Sequence, residues 1–468
     1  MFDAVVVGSG PNGLTAAISL AGAGLKVVVL EAHDSPGGGA RTAELTLPGV
    51  RHDVCSAIHP FGAASPAFAA MGLGEHGLRW AHPEVQLAHP LDGGRAAILT
   101  RDLDETCTRL GTDGPAWRDT VGWAVRQWDA VVRLALWPPL RAVRHPVMAG
   151  RFAWAALPSA SRLVGRFHTD EGRAMIAGLA AHSAVPLSTL TTAGVAITLG
   201  AAAHAVGWPV AAGGSGSLVD ALVAKLESLG GEIRTGISVE QWGDLPAAEV
   251  VLLDTSPETA LRIAGHRMST WTRHRYRSVR RSPGIFKLDV ALDGPIPWAN
   301  RECRRSATLH VGGTYEEIAE SERRVARGDP TTSPFVIAAQ PIVADPTRAP
   351  AGIHVLWAYT RVPRGSTIDM TEPILDQIER FAPGFRRRIV TTSARGPADI
   401  EAENANLVGG DISAGAISLR GVLARPKLAR PYRIGAGVYL CSASAPPTAG
   451  VHGMCGWHAA RAALGSRR

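Results

Sequence analysis

A glycine-rich stretch near the beginning of the chain carries the first sign of chemistry. Gly8, Gly10 and Gly13 follow the apolar run Val5–Val7 in the pattern G-x-G-x-x-G, and residues 12–24 have the composition of a small-residue helix. In this pattern the first glycine permits a tight turn, the second lets the backbone approach a pyrophosphate, and the third lets the helix pack on the strand. The N-terminus of the helix then offers N–H groups and partial positive charge to phosphates.

An acidic residue ends the next strand. Residues 26–30 (KVVVL) read as that strand, and Glu31 follows it directly. A carboxylate at this place accepts hydrogen bonds from ribose hydroxyls and repels a 2′-phosphate. Strand, helix and strand together form one βαβ unit of a parallel sheet. The sequence therefore predicts a dinucleotide-binding fold, and both NAD and FAD satisfy the pattern so far.

A second glycine cluster favours FAD. Gly37, Gly38 and Gly39 precede Arg41 shortly after Glu31. This loop can line the same pyrophosphate and give it a cation, and typical NAD dehydrogenases do not need it. We therefore expect FAD, and an NAD dehydrogenase is the less favoured alternative.

Composition excludes several other classes. The 468 residues carry a net charge of +7, which is modest for the length, and the basic run 266–281 reads first as a solvated surface, so we expect no nucleic-acid partner. The five cysteines show no CxxC spacing, which argues against disulfides and a metal site and favours a cytoplasmic protein. The N-terminus lacks the basic region of a signal peptide.

One long segment has no charge. Residues 174–219 contain no Asp, Glu, Lys or Arg, but they are too rich in Ala, Thr and Gly, and too interrupted by Pro186 and Pro209, for a membrane-spanning helix. The segment reads either as plain core or as the wall of an apolar cavity. The second interpretation predicts an apolar substrate, and residues 131–167 are a candidate for peripheral membrane contact.

Four segments resemble a known family. They are PNGLTAAISLAGAGLKVVVLEA (11–32), PGGGARTAELTLPGVRHDVCSAIHP (36–60), HAVGWPVAAGGSGSLVDAL (204–222) and YLCSASAPPTAGVHGMCGWHAARAAL (439–464). Together they resemble the FAD-dependent oxidoreductases related to phytoene desaturase. Within the superfamily of amine oxidases and carotenoid desaturases, they are most similar to the branch typified by pyridine nucleotide-disulphide oxidoreductase domain-containing protein 2. The likeness falls at both ends and in the middle of the chain.

The resemblance implies an α/β fold of two parts. A Rossmann-like FAD-binding domain would be built from the discontinuous segments 1–75, 205–265 and 395–468. An α+β substrate domain would comprise 76–204 and 266–394.

The resemblance also implies a set of cofactor contacts. The glycine loops and Arg41 would bind the pyrophosphate, Glu31 would bind the adenosine ribose, and the backbone of Val239 would contact the adenine. Residues 450–454 would contact the isoalloxazine, where a helix N-terminus stabilises negative charge on the reduced ring. The full implied set is Gly8, Gly10, Pro11, Asn12, Gly13, Glu31, Ala32, Gly38, Gly39, Ala40, Arg41, Val239, Asp254, Ser442, Gly450, Val451, His452 and Met454.

Two positions depart from the family pattern. The second glycine element, GGGAR, has one residue more than the family pattern GGxR, so two adjacent glycines are candidates for the phosphate contact. Relatives carry Gly-Asp after the last strand, where this chain has Cys441 and Ser442. A hydroxyl or a backbone N–H would have to replace the usual carboxylate contact to the ribityl chain.

The expected reaction is hydride transfer between flavin and a C–C bond of an apolar polyene, isoprenoid or acyl-like substrate, by desaturation, reduction or isomerisation. His452, His59 and His204 are the candidate proton carriers, since an imidazole near neutral pKa suits proton transfer. An amine or amino-acid oxidase remains an alternative, and so does a flavin-binding scaffold without turnover. The sequence leaves open the electron acceptor (oxygen, quinone or nicotinamide) and the oligomeric state.

Overall fold

The computed structural model describes residues 1–138, 146–329, 331–416, 418, 421 and 425–466. In chain order its strands are β1 Ala4–Val7, β2 Val27–Leu30, β3 Thr42–Ala43, β4 His52–Asp53, β5 Trp80–Ala81, β6 Val85–Pro90, β7 Ala96–Thr100, β8 Val210–Ala211, β9 Glu232–Arg234, β10 Val250–Leu253, β11 Gly284–Leu292, β12 Thr308–Val311, β13 Val336–Ala339, β14 His354–Val362, β15 Ile389–Arg395, β16 Arg433–Gly435 and β17 Val438–Leu440.

The helices lie between these strands and after the last of them. They are α1 Pro11–Ala21, α2 Pro60–Ala63, α3 Pro66–Met71, α4 Leu103–Arg109, α5 Gly114–Trp117, α6 Trp123–Arg126, α7 Trp128–Leu136, α8 Pro146–Ala156, α9 Ala160–Val164, α10 Asp170–Ala181, α11 Thr192–Ala205, α12 Ser215–Ser228, α13 Pro257–Ala264, α14 Thr270–Arg277, α15 Tyr315–Arg327, α16 Thr371–Phe381, α17 Pro397–Glu403 and α18 Met454–Gly465.

The first sheet is the dinucleotide-binding type. Its strand order is β16-β17-β10-β1-β2-β9, and every pair except β16–β17 is parallel. Strands β1, β2 and β10 are buried along their whole length, as continuous apolar strands between two helical layers must be. Helices α1 and α18 pack on this sheet, and α12 packs on α1. The predicted Rossmann-like α/β fold is confirmed.

The second sheet is mixed. Its order is β15-β11-β14-β13-β12-β6-β7, and all pairs are antiparallel except β12–β6. In the sequence, β6 and β7 lie between β2 and β9 of the first sheet, and β11–β15 lie between β10 and β16. The predicted division at residues 75, 205, 265 and 395 remains a prediction about domain boundaries.

The uncharged segment 174–219 forms most of α10 and all of α11. Both helices are buried over most of their length and share one apolar cluster with Trp117, Trp208 and Phe335. This packing accounts for the absence of charge in the segment. Among the described residues, no helix has the length and hydropathy needed to cross a bilayer.

The sequence EIRTGISVEQW (232–242), which follows the Gly230–Gly231 turn, predicts one strand, but the observed strand β9 is shorter. It ends at Arg234, because the chain turns at Gly236, whose φ is +68°. The N–H of Gly236 then donates to the carbonyl of His33 at 3.1 Å, and that of Ile237 to the carbonyl of Glu31 at 2.8 Å. Val239 is therefore buried in an irregular segment beside the end of β2, and its placement in a strand was wrong.

Candidate functional site

The two glycine loops lie against each other. The N–H of Gly37 donates to the carbonyl of Ser9 at 3.1 Å. A Cβ atom on Gly38 would lie 3.2 Å from the Cα of Gly10, and the φ of Gly38 is +53°, so neither space nor conformation suits another residue there. Gly38, Gly39 and Ala40 form a single 3₁₀ turn whose last residue is buried. The structure thus brings the two sequence motifs to one place.

The N-cap residue of α1 has no side chain that could cap the helix. Its N-cap is Gly10, and Pro11 occupies the first helical position, where a missing N–H costs nothing. The N–H of Gly13 donates to Oδ2 of Asp254 at 2.8 Å, and burial raises the pKa of Asp254 to about 7 although this bond opposes the shift. Asn12 is buried, and its Oδ1 has no hydrogen-bond partner among the described residues.

These features fit a dinucleotide. The N–H groups at a helix N-terminus bind phosphate, and a ribityl or ribose hydroxyl can donate to an unpartnered amide oxygen such as that of Asn12. Because the two loops consist largely of glycine, they present backbone atoms rather than side chains at the N-terminus of α1. The residues present are therefore compatible with FAD.

Glu31 already has partners within the chain. Its carboxylate accepts from the N–H of Ser9 at 2.8 Å, from the Ser9 hydroxyl at 2.5 Å and from the N–H of His33 at 2.9 Å. The acid therefore fixes the first glycine loop to the end of β2. Ala32 follows it, and the segment leading to Val239 runs alongside, so the residues predicted for the adenosine end are neighbours.

Arg41 forms an ion pair that the sequence did not predict. Its Nη2 lies 2.5 Å from Oε1 of Glu403, the last residue of α17. Its Nη1 lies 2.6 Å from Nε2 of His33, and its Nε donates to the carbonyl of Gly38 at 3.1 Å. The cation predicted for the pyrophosphate is present beside the second glycine loop, but a carboxylate neutralises it.

The C-terminal helix packs directly on α1. A Cβ atom on Gly456 would lie 1.8 Å from the carbonyl oxygen of Asn12, so the first turns of the two helices touch through backbone. The predicted turn 450–454 leads into this contact, and Met454 is the first residue of α18. Both ends of the chain therefore meet at the N-terminus of α1.

His452 holds this turn in place. The N–H of Met454 donates to its Nδ1 at 3.0 Å, so Nε2 carries the proton and donates to the carbonyl of Thr448 at 3.1 Å. The hydroxyl of Ser65 donates to the His452 carbonyl at 2.6 Å. Burial lowers the pKa of His452 to about 4. The imidazole is neutral with both nitrogens engaged, which is the environment of a positioning residue.

The other two candidate histidines are also buried and neutral. Nε2 of His59 lies 2.8 Å from the hydroxyl of Ser215, which itself donates to a carbonyl, so His59 is the donor. Burial lowers the pKa of His59 to about 4.

His204 lies in the helical region. The Trp117 indole donates to its Nε2 at 3.1 Å, and its Nδ1 lies 3.2 Å from the carbonyl of Arg101. Burial likewise lowers its pKa to about 4. A catalytic role for any of the three stays a prediction.

Ser442 lies just beyond the end of β17. It is buried, and its hydroxyl accepts from the N–H of Ser444 at 3.3 Å. The N–H of the preceding Cys441 donates to the carbonyl of Leu253. Ser442 and Asp254 thus follow adjacent parallel strands at the same edge of the sheet, where ligands of such sheets bind.

A buried charged cluster lies beside the second glycine loop. Lys287 forms an ion pair with Asp289, to which Arg395 also donates at 3.2 Å, and Nδ1 of His52 lies 3.4 Å from the other Asp289 oxygen. Burial lowers the pKa of Lys287 to about 8, with Asp289 opposing the shift. Burial alone would raise the pKa of Asp289, but Lys287 and His52 hold it below its usual value.

This cluster opens onto a cleft. The lining of the cleft includes Gly38, Gly39, Cys55, Lys287 and Arg395. Sequence reasoning missed the cluster, because its members come from β4, β11 and β15. The one available signal was a Lys and an Asp in the otherwise apolar strand GIFKLDVAL, on the same face of that strand.

The described residues include no set of side chains that could bind a metal ion. Within the described ranges, no three His, Cys, Asp or Glu side chains lie close enough to hold an ion.

Comparisons with known proteins agree with this architecture. Residues 6–71 match the model of the NAD(P)-binding Rossmann-like domain family. The chain is 26% identical to pyridine nucleotide-disulfide oxidoreductase domain-containing protein 2 of Rattus norvegicus, over 98% of this chain and 92% of that protein. It is also 26% identical to the lycopene-forming phytoene desaturase of Pseudescherichia vulneris, over 99% of each chain.

Solved structures share the fold. An oxidoreductase from Methanosarcina mazei superposes with a TM-score of 0.64 at 15% identity, covering 97% of each chain. Putrescine oxidase bound to putrescine superposes with a TM-score of 0.64 at 16% identity, covering 100% of this chain and 99% of that one.

The fold and the site define an oxidoreductase with a Rossmann-type dinucleotide-binding domain. Its full-length relatives include the phytoene desaturases and the domain-containing protein 2 named above. The predicted resemblance and the predicted class, an FAD-dependent oxidoreductase, are confirmed. The individual site residues stay predictions.

Proposed function

We propose that this protein is an FAD-dependent dehydrogenase that acts on a C–C bond of an apolar acyl or isoprenoid chain. The observation that carries the proposal is the convergence of both glycine loops and the C-terminal turn on the N-terminus of α1, next to a cleft with a buried lysine. Full-length similarity to phytoene desaturases supports the same type of reaction.

The chain would hold FAD along the edge of the first sheet. The N-terminus of α1 and the loop 37–41 would bind the pyrophosphate, and Glu31 would bind the adenosine ribose in place of the Ser9 hydroxyl. Ser442 and the turn 450–454 would hold the flavin end. When bound, FAD accepts or donates a hydride at its isoalloxazine.

Lys287 is our candidate for the proton. Removal of a hydride and a proton from neighbouring carbons needs a base, and the three predicted histidines each use both nitrogens or lie deep in core packing. Lys287 lines the cleft, and its pKa of about 8 makes a neutral amine accessible near neutral pH. Asp289 fixes its position through the ion pair, and Arg395 in turn donates to Asp289.

Amine oxidation is the second candidate. The rings of Trp357 and Tyr359 lie 5.2 Å apart at 82°, an arrangement that can enclose a cation. However, the ammonium of Lys287 already lies 5.6 Å from the centre of the Trp357 ring. A second cation would be repelled there, so we favour the uncharged carbon chain over an amine.

The surface near the helical region supports peripheral membrane contact. Helix α8 has no buried residue, and Val147 and Trp154 are 86% and 87% exposed. Apolar side chains exposed along one helix are typical of lipid contact, and membranes hold apolar substrates. We propose that α8 rests on a lipid surface.

Anaerobic reduction tests the proposed function. Purified protein is mixed without oxygen with a carotenoid or acyl substrate, an amine such as putrescine, or NADPH, and the oxidised-flavin absorbance is followed. Bleaching by the carbon-chain substrate supports the dehydrogenase. Bleaching only by the amine supports the oxidase, bleaching only by NADPH supports a reductase, and flavin that no substrate reduces supports a scaffold.

A further inference from the structure

A buried acid lies beside the first glycine loop. Asp254 directly follows β10 and is only 7% exposed. A Cβ atom on Gly10 would lie 2.8 Å from its Oδ2, and a Cβ atom on Gly13 would lie 2.9 Å from the same oxygen. A Cβ atom on Gly8 would lie 3.2 Å from the Cβ of Asp254. All three glycines of the motif therefore leave room for this one side chain.

One oxygen of this carboxyl group is engaged and the other is free. Oδ2 accepts from the N–H of Gly13 at 2.8 Å, whereas Oδ1 accepts no hydrogen bond from any residue that the structure describes. The backbone on both sides is fixed: the N–H of Asp254 donates to the carbonyl of Val7 at 2.8 Å, and its carbonyl accepts from Nδ2 of Asn406 at 2.9 Å. A proton on this group would therefore lie on Oδ1.

The groups that face the carboxyl supply no positive charge. In the described part of the chain, Asp254 forms no ion pair with a Lys, Arg or His side chain. Glu31 faces it from the end of β2, and Cys441 and Cys455 face it as thiols whose pKa burial holds well above the usual value. Burial raises the pKa of Asp254 to about 7; the Gly13 N–H opposes this shift, and the charge of Glu31 adds to it. Both forms of the acid are therefore populated near neutral pH.

A pyrophosphate at the N-terminus of α1 would change this balance. Gly13 lies in the first turn of α1, whose N–H groups would bind the pyrophosphate in the proposed function. An ionised Asp254 and a pyrophosphate would place two negative charges at the same helical turn, where they repel each other. The neutral acid removes that repulsion, and its O–H becomes a hydrogen-bond donor.

We propose that Asp254 binds FAD as the neutral acid, donating the O–H of Oδ1 to a phosphate oxygen, so that FAD binding takes up a proton wherever the acid is ionised in the free protein. The inference rests on the proposed function and adds that pH sets the affinity for the cofactor. FAD keeps its own charge between about pH 6 and about pH 8.5, so a change of affinity in that range comes from the protein.

Titration of FAD into the flavin-free protein tests this linkage. The dissociation constant is measured from flavin fluorescence at constant ionic strength. With a pKa of about 7 and binding to the neutral form alone, it should rise about 30-fold between about pH 6 and about pH 8.5. The amide of Asp254→Asn keeps an acceptor for the Gly13 N–H and a donor in place of the O–H. This variant should bind FAD at both pH values within a few-fold of wild type at the lower pH.

Asp220→Asn is the matched control. It removes the same charge from an exposed position on α12, and it should keep the full change of affinity with pH. His33 and Lys287, the other titratable groups near the second glycine loop, are unchanged in Asp254→Asn. A change of about 30-fold that persists in Asp254→Asn would therefore come from those groups and would overturn the proposal.

Other outcomes also decide against it. Affinity that stays constant or increases as the pH rises would mean that an ionised Asp254 binds a hydroxyl of the cofactor instead. If Asp254→Asn does not fold, calorimetry of the wild-type protein in two buffers of different ionisation enthalpy carries the test: about half a proton should be taken up per FAD at about pH 7, and no uptake would overturn the inference. A folded protein that binds no FAD at any pH would refute the proposed function as well, whereas tight binding without pH dependence would refute this inference alone.

Discussion

The contact between α1 and α18 predicts that Gly456 cannot be replaced by a larger residue without loss of stability. Replacing a glycine inside a helix by alanine normally stabilises the helix by up to about 1 kcal/mol. At Gly456 the new Cβ would lie 1.8 Å from the carbonyl oxygen of Asn12, where non-bonded heavy atoms need about 3.5 Å. The helices must therefore separate by more than an ångström at their first turns.

We expect Gly456→Ala to destabilise the protein. Overpacking of this kind costs about 1–3 kcal/mol or more, which exceeds the gain in helix propensity. The displaced atom belongs to the first turn of α1, so FAD binding should weaken as well. The assays are the midpoint of thermal unfolding and the flavin absorbance per chain of the purified variant.

Gly150→Ala is the matched control. Gly150 also lies within a helix, and a Cβ atom there would have no neighbour within 4 Å. This variant should keep its flavin and unfold at or slightly above the wild-type temperature. A Gly456→Ala protein as stable as wild type and fully loaded with flavin would refute the reasoning about how the two chain ends meet.

Three further predictions concern charge and surface. Flavin reduction by substrate should quicken as pH rises through about 8, the pKa of Lys287, because the neutral amine is the base; Lys287→Met should slow it about 100-fold and remove that pH dependence. In a spectral titration, Glu403→Gln should bind FAD several-fold more tightly, because Glu403 neutralises the Arg41 guanidinium that would bind phosphate. Arg41→Gln should bind FAD about tenfold more weakly, because it removes that cation. Trp154→Glu should reduce flotation with phosphatidylcholine vesicles, whereas Trp271→Glu, also exposed but on α14, should not.

Each of these has a contrary result. A rate profile flat across pH 8, or one that survives in Lys287→Met, removes Lys287 from the proton step. Weaker FAD binding by Glu403→Gln would mean that the ion pair orders Arg41 for the cofactor. Equal flotation of both tryptophan variants would exclude α8 as the lipid-contact surface.

The parts of the fold that the sequence predicted well are set by local pattern. The apolar runs at 3–7, 26–30 and 249–254 predict strands, and each observed strand ends within one residue of its run, because fully buried parallel strands are continuous apolar runs. The strand expected to reach Val239 stops at Arg234, since a glycine with positive φ turns the chain. That conformation depends on contacts with the end of β2 that a pattern does not contain.

The site was only partly predictable for the same reason. The glycine loops are contiguous motifs with a known purpose, so their meeting could be anticipated. The pairing of Arg41 with Glu403, and of Asp289 with His52 and Arg395, joins residues far apart in the chain. Only the three-dimensional arrangement shows which of many ordinary charged residues are buried together.

The central claim is that both ends of the chain close around one FAD. The most direct measurement is the absorbance spectrum of the purified, folded protein, together with the amount of flavin released per chain on denaturation. The account predicts oxidised-flavin bands and one FAD per chain, either as purified or after addition of FAD. A folded protein that is colourless and does not take up added FAD would contradict it.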